Sequence, residues 1–321
     1  MLWLSLSLPA STIIHRQLLI FNCKNPLLNC ELCIAESIAE SIAEKVGYQV
    51  LVVKFSGKVF TRKDCLANLL ENVAVLFRQG VPIALVHGGG SSITKTVEER
   101  GGSTRFWNGL RVTDELTLEV VREEMAQINA QIVEMLGDLG VIVESHADGE
   151  RLIKARKKIV YEADGTPVDL GFVGEVAGFH TEMMESFIAG AAVPVIAPLG
   201  MDEQRNIYNI NADDAAQAVA IGFSARQFIL LSDVDGVYLQ EDGGQRTLPC
   251  LTPSSIYELH RQGQITDGML PKLNGCQEAI RRGVSSVRIA NGMTENVLLR
   301  ILEGETLGTE IISDVYSVEV D

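Results

Sequence analysis

A run of glycines at the end of a strand, with an arginine in a turn beyond it, describes a pocket for anions. His87 is followed by Gly88, Gly89 and Gly90, closing the apolar run at residues 83–86. Glycines there let backbone amides approach an anion with no side chain in the way. Downstream, residues 108–114 read Asn-Gly-Leu-Arg-Val-Thr-Asp. Arg111 adds a planar fork shaped for a carboxylate. The two stretches together suit a phosphate and a carboxylate held side by side, which points to phosphoryl transfer to an acid.

Other residues fit that chemistry. Lys54 ends a strand and is followed by Phe55-Ser56-Gly57-Lys58; from there its ammonium reaches a phosphoryl group that the Gly57 amide also contacts. A surface lysine beside a turn is the plain alternative. Residues 209–213 read Asn-Ile-Asn-Ala-Asp and open a helix. Capping explains one such polar residue; the excess suits Asp213 orienting two lysines by charge-assisted hydrogen bonds, with Asn209 facing the acceptor. Ser232-Asp233-Val234-Asp235-Gly236-Val237-Tyr238 follows an apolar strand and suits a nucleotide's ribose and base edge. Gly268-Met269-Leu270-Pro271-Lys272 places Lys272 in the first turn of a helix, where the dipole disfavours a cation; it meets an anion there or is solvated. No Walker GxxxxGK[ST] sequence occurs, nor GxGxxG after a strand. The absence of HExxH, a paired Cys/His set or a GxSxG elbow removes zinc and serine hydrolases.

The elements that must position these residues alternate. Strands are expected at 48–54, 81–86, 141–145, 193–196, 228–231, 286–290 and near 310–312. Helices are expected at 62–79, 92–100, 113–139 (capped by Thr113 or Asp114), 181–189, 212–223, 253–262, 270–283 and 295–303. Residues 152–161 and 168–177 read as hairpins over one edge. Repeated β-α alternation calls for an α/β fold, a mostly parallel sheet covered on both faces, with ligands beyond the carboxyl ends of the strands.

The chain of 321 residues is long enough to bury a large core. Its formal charge of −15 argues against a general nucleic-acid or anionic-membrane surface, so an anionic ligand must be held by a local cluster of cations and amides. The six cysteines lack the spacing of a disulfide scaffold, and Cys30-Glu-Leu-Cys33 is a lone CxxC. A reducing cytoplasm is the simple expectation. The first thirty residues contain no Asp or Glu, which leaves an organelle transit peptide open beside a disordered tail or an upstream start. A perfect period-four Ile-Ala-Glu-Ser repeat at 34–44 puts Ile34, Ile38 and Ile42 on one helix stripe.

In order, these pieces closely resemble the amino acid kinase family. The matching strings are the Lys54 strand end, HGGG at 87–90, NGLRVTD at 108–114, DLGFVGEV at 169–176, NINAD at 209–213, LLSDVDG at 230–236 and ITDGMLPK at 265–272. They span residues 50–312, and NGLRVTD and DLGFVGEV are specific to the branch that phosphorylates N-acetyl-L-glutamate. The resemblance implies a three-layer αβα sandwich with an acceptor lobe at 48–226 and a nucleotide lobe at 227–321, preceded by an extension at 1–47. It implies transfer from ATP, with Mg²⁺, to the γ-carboxylate of N-acetyl-L-glutamate in arginine synthesis. Lys54 and Lys272 would neutralise the transferred group and the leaving ADP, with Asp213 organising them. Gly57, Gly89 and Gly90 would donate amides, and Arg111 and Asn209 would hold the α-carboxylate. Ser232, Asp233, Val234, Gly236, Tyr238, Thr266, Gly268 and Met269 would line the nucleotide. The chain departs at Ser56 and Lys58, where this branch usually carries glycine and asparagine. Arg288 and Arg300 stand where arginine-sensitive members bind their inhibitor, so a homodimer without that feedback is expected. Alternatives on the same fold are a UMP kinase, a kinase of carrier-linked aminoadipate, and a non-catalytic ligand-binding domain.

Overall fold

Strand formation begins with continuous apolar runs. Leu51–Phe55 and Ile83–His87 are buried at every position, which a strand covered by helices on both faces requires. In a computed structural model of the chain, residues 50–149, 152–180, 192–241, 244–265 and 269–314 are described. The extension, the Ile-Ala-Glu-Ser repeat, the Cys30/Cys33 pair, the helix at 181–189, and Thr266 and Gly268 lie outside the described residues.

Eight strands form the central sheet in the order Cys250–Leu251, Thr309–Ile312, Ser286–Asn291, Gln227–Ser232, Leu51–Phe55, Ile83–His87, Val193–Ile196, Val143–His146. Neighbours run parallel, except that Thr309–Ile312 lies antiparallel to Ser286–Asn291. Helices flank it as the alternation predicts. Lys63–Arg78 buries Leu66, Leu69, Leu70, Val73 and Leu76, one stripe at helical spacing. Glu115–Asp138 starts at Asp114, whose side chain accepts from the Thr117 amide at 2.8 Å. Of the two expected caps, Asp114 is therefore the one used. The α/β sandwich with a mostly parallel sheet is as expected.

One expectation needs correction. Residues 152–161 and 168–177 do not simply fold as hairpins over an edge. Ile153–Lys157 and Val173–Phe179 pair antiparallel, and close with Leu199–Met201 and Ile207–Ile210 into a four-stranded barrel. Only Val160–Tyr161 and Pro167–Val168 form a short separate hairpin. The missing partners are short strands whose connection, at residues 202–206, is held by the Asp202 side chain accepting from the Asn206 amide at 2.8 Å. Such brief runs give no alternation for a sequence reading to detect.

Register then positions the site. Lys54 lies opposite Leu230 on one side and Val86 on the other. Three neighbouring strands thus release their carboxyl ends together: Ser56 and Gly57 from one, the glycine run from the second, Ser232 and Asp233 from the third. Leu51–Phe55 is the switch point. The sheet continues from it in one direction through Ile83–His87 and in the other through Gln227–Ser232. A crevice opens between such diverging connections.

Candidate functional site

The crevice is built from loops that leave those strands. Lys54, Ser56, Gly57, Gly88, Gly89, Gly90, Arg111, Asn209, Asn211 and Ala212 all line one cavity of about 220 Å³. Its remaining wall is largely apolar, from Ile93, Phe106, Leu110, Met125, Val173, Pro198 and Ile210. The two glycine loops face each other closely: a Cβ added to Gly57 would lie 3.5 Å from the Gly90 amide nitrogen. A small anion placed there meets amides rather than side chains.

Two lysines distant in sequence share one carboxylate. Asp213 Oδ1 lies 2.6 Å from Lys54 Nζ, and its Oδ2 accepts from Lys272 Nζ at 3.2 Å. Lys54 is only 7% exposed, so its ammonium depends on this partner for compensation. Burial would raise the Asp213 pKa, but Lys54 and then Lys272 outweigh it and hold the carboxyl at about 2. Asn211 sets the geometry by accepting from the Asp213 and Asp214 amides at 2.9 and 3.2 Å. Capping and lysine organisation thus fall to different residues of the same motif.

Arg111 is 9% exposed, and its described hydrogen bonds all go to neutral oxygens: the Gly90 carbonyl at 2.8 Å, Thr94 Oγ1 at 3.0 Å and Thr104 Oγ1 at 3.4 Å. The Phe106 ring covers it, 4.8 Å from guanidinium carbon to ring centroid. Burial lowers its pKa, as for any cation removed from water before it meets an anion. Asn209 donates to Thr113 Oγ1 at 3.1 Å, and that hydroxyl donates to the Arg111 carbonyl at 2.8 Å. Arg111 and Asn209 are thereby mounted on the same residue.

Thr113 itself is clamped by the segment at 170–172. Its amide donates to the Leu170 carbonyl at 2.9 Å, and its carbonyl accepts from the Phe172 amide at 2.7 Å. Between them Gly171 adopts φ +71°, and a Cβ there would meet the Thr113 oxygen at 2.1 Å. The two motifs that the resemblance marks as branch-specific are therefore hydrogen-bonded to each other.

Of the expected nucleotide residues, Ser232 and Asp233 stand at the carboxyl end of Gln227–Ser232, with Ser232 Oγ donating to Asp233 at 3.2 Å. The Asp233 carboxylate is also paired with Lys58, which holds its pKa below the usual range. Val234 packs on the core. Gly236 has φ +140° and sits against Thr309, whose hydroxyl a Cβ would meet at 2.6 Å; its glycine is required by packing. Tyr238 opens the hairpin Tyr238–Glu241/Gly244–Thr247, and Met269 precedes the helix that carries Lys272.

The supports of these groups carry no signal in the sequence. Thr94, Thr104 and Phe106 hold Arg111, and Asn291 donates to Asp235 at 2.8 Å. Beneath the glycine run, His87 is fully buried and burial pushes its pKa down to about 3, so it is neutral at physiological pH. Asn129 donates to His87 Nε2 at 3.2 Å and to the Val195 carbonyl at 2.9 Å, while Ser145 donates to Asn129 at 2.6 Å. Single polar residues in apolar helices and strands carry no local signal of such a network. Among the described residues no group of three or more His, Cys, Asp or Glu gathers to hold a metal. Nor is any described helix long and apolar enough to cross a membrane.

A sheet that diverges at a switch point, glycine amides in the crevice and lysines converging on it define a protein that handles phosphoryl groups. Residues 49–291 match the amino acid kinase family, and the chain belongs to that family. Within it, the chain is 38% identical over 272 residues to the acetylglutamate kinase of Methanococcus aeolicus, covering 83% of this chain and 92% of that protein. It is 36% identical over 266 residues to the acetylglutamate kinase of Methanothrix thermoacetophila, covering 82% and 92%. Among solved structures, N-acetylglutamate synthase from Neisseria gonorrhoeae shares the fold with a TM-score of 0.75 at 21% identity, over 88% of this chain and 64% of that longer one.

Proposed function

We propose that this chain transfers the γ-phosphoryl group of ATP to the γ-carboxylate of N-acetyl-L-glutamate, giving N-acetyl-L-glutamyl 5-phosphate for arginine synthesis. It is a kinase with a carboxyl group as acceptor, the activity for which its relatives are named. One observation carries the acceptor reading: the buried guanidinium of Arg111 faces a cleft and, among the described residues, is bonded to neutral oxygens alone. A carboxylate is the partner its fork fits. Apolar walls beside it suit an acyl group and a short methylene chain.

A carboxylate is already a nucleophile, so the reaction needs no general base. The protein must align two anions and cancel charge as they meet. In this reading Arg111 and Asn209 hold the acceptor's α-carboxylate, while Gly57, Gly89 and Gly90 donate amides to the transferred group. Lys54 and Lys272 balance the charge on the phosphoryl group and on departing ADP. Asp213 keeps both lysines in place. The nucleotide lies along residues 233–238 and near Met269, in the carboxy-terminal part of the chain from residue 227, with the acceptor held by the part before it. Asp213 already serves two ammonium groups, so Mg²⁺ would be held chiefly by the nucleotide's own phosphate oxygens and would supply charge neutralisation there. The expected setting is the cytoplasm and the expected assembly a homodimer; sedimentation showing an arginine-responsive hexamer would reject the latter.

The test is hydroxamate trapping of the acyl phosphate with ATP, Mg²⁺ and N-acetyl-L-glutamate, alongside coupled ADP release with UMP and carrier-linked aminoadipate. Hydroxamate with N-acetyl-L-glutamate, and little turnover of the other two, is the expected result. ATP and N-acetyl-L-glutamate bound without hydroxamate would replace the enzyme by a ligand-binding domain of the same fold.

A further inference from the structure

Lys58 does not line the cavity, yet its position is specific. It follows Gly57, which lines the cleft, in the short helix Gly57–Thr61. Its ammonium pairs with Asp233, at the carboxyl end of the neighbouring strand Gln227–Ser232. The pair therefore joins the loops that follow two adjacent strands, Leu51–Phe55 and Gln227–Ser232, the first expected to meet the transferred phosphoryl group and the second to carry the nucleotide. We propose that Lys58 is a nucleotide-positioning residue, exchanging Asp233 for an oxygen of the β- or γ-phosphate when ATP binds. The inference rests on the kinase reading above.

Charge and exposure both support the exchange. The Lys58 side chain is 66% exposed and that of Asp233 34%, so the pair is a surface ion pair, screened and weakly held. A phosphate chain offers several charged acceptors close together, and charge-assisted bonds to it are stronger than a bond to one solvated carboxylate. The lysine stem is long and flexible enough to change partners without moving the backbone. Lys54 and Lys272 share Asp213, so of these three lysines Lys58 alone has a carboxylate partner to itself.

The test is calorimetric titration of wild type and Lys58→Met with a non-hydrolysable ATP analogue, ADP and AMP, with steady-state KM values measured beside it. The expected result is about tenfold weaker binding of the ATP analogue and ADP, with AMP binding and the N-acetyl-L-glutamate KM unmoved. Lys58→Arg should recover most of the loss. Equal weakening of AMP and ADP would make Lys58 a packing residue, and unchanged ADP and ATP-analogue binding would make the pair a static tie between loops; either overturns the proposal. Titration needs no acceptor. A wild type that binds nucleotide but forms no acyl phosphate thus defeats the kinase reading and leaves the Lys58 comparison standing.

Discussion

Lys54 is buried at the end of a central strand, and the carboxylate that compensates it comes from a helix far along the chain. That dependence sets what substitutions do. Lys54→Ala or Lys272→Ala removes a fixed charge aimed at developing negative charge, and turnover should fall by on the order of 10²-fold or more. A smaller loss in hydroxamate formation would take the altered lysine out of the reaction. Arg111→Lys should chiefly raise the acceptor KM, because a point charge cannot replace a bidentate fork; an unchanged KM would remove Arg111 from the acceptor site. Arg111, both lysines and Asp213 were each legible in the sequence, because a charged residue at a strand end, a glycine turn or a helix start is locally conspicuous. Their supports were not. Thr94, Thr104 and Phe106 are ordinary residues until the fold brings them around Arg111.

At the scale of elements, Gly171 joins two segments. Its positive φ and its approach to the Thr113 carbonyl leave no space for a side chain. Gly171→Ala should cost about 3 kcal/mol or more through strain and displaced backbone, read from denaturant midpoints. Because Thr113 also carries Arg111 and Asn209, the acceptor KM should rise while the ATP KM holds. Loss of stability with both KM values unmoved would separate the clamp from the site. Only the family resemblance marked DLGFVGEV as informative, and it gave no physical reason. Helices and most sheet strands were legible, since their periodicity is long enough to detect. The barrel was not, because Leu199–Met201 and Ile207–Ile210 are too short to show a period and exist as strands only beside their partners.

For the whole molecule, acid sensitivity should come in two stages. The His87 pKa falls from 6.5 to about 3 on burial. Its share of stability is therefore complete above about pH 6.5 and is lost as pH falls toward 3, where the unfolded chain binds a proton that the native state refuses. Asp213, lowered from 3.8 to about 2, contributes fully above about pH 4 and loses its share as pH falls toward 2. With a third of its side chain exposed, that share is on the order of 1–2 kcal/mol after solvent screening. Denaturation midpoints against pH should show His87→Gln flattening the decline between about pH 6.5 and 4, relative to its own value at pH 8. Parallel curves for variant and wild type would remove His87 as the source.

The sequence by itself determined the alternation that requires a parallel sheet, the glycine run at its edge and the charged residues beyond it, because each depends on neighbours within one turn or one strand. The tertiary structure alone decided that Lys54 and Lys272 meet on Asp213, that Thr113 locks against Gly171, and that Lys58 crosses to Asp233. Strand order and register bring those groups within bonding distance, and no local pattern encodes which strand lies beside which.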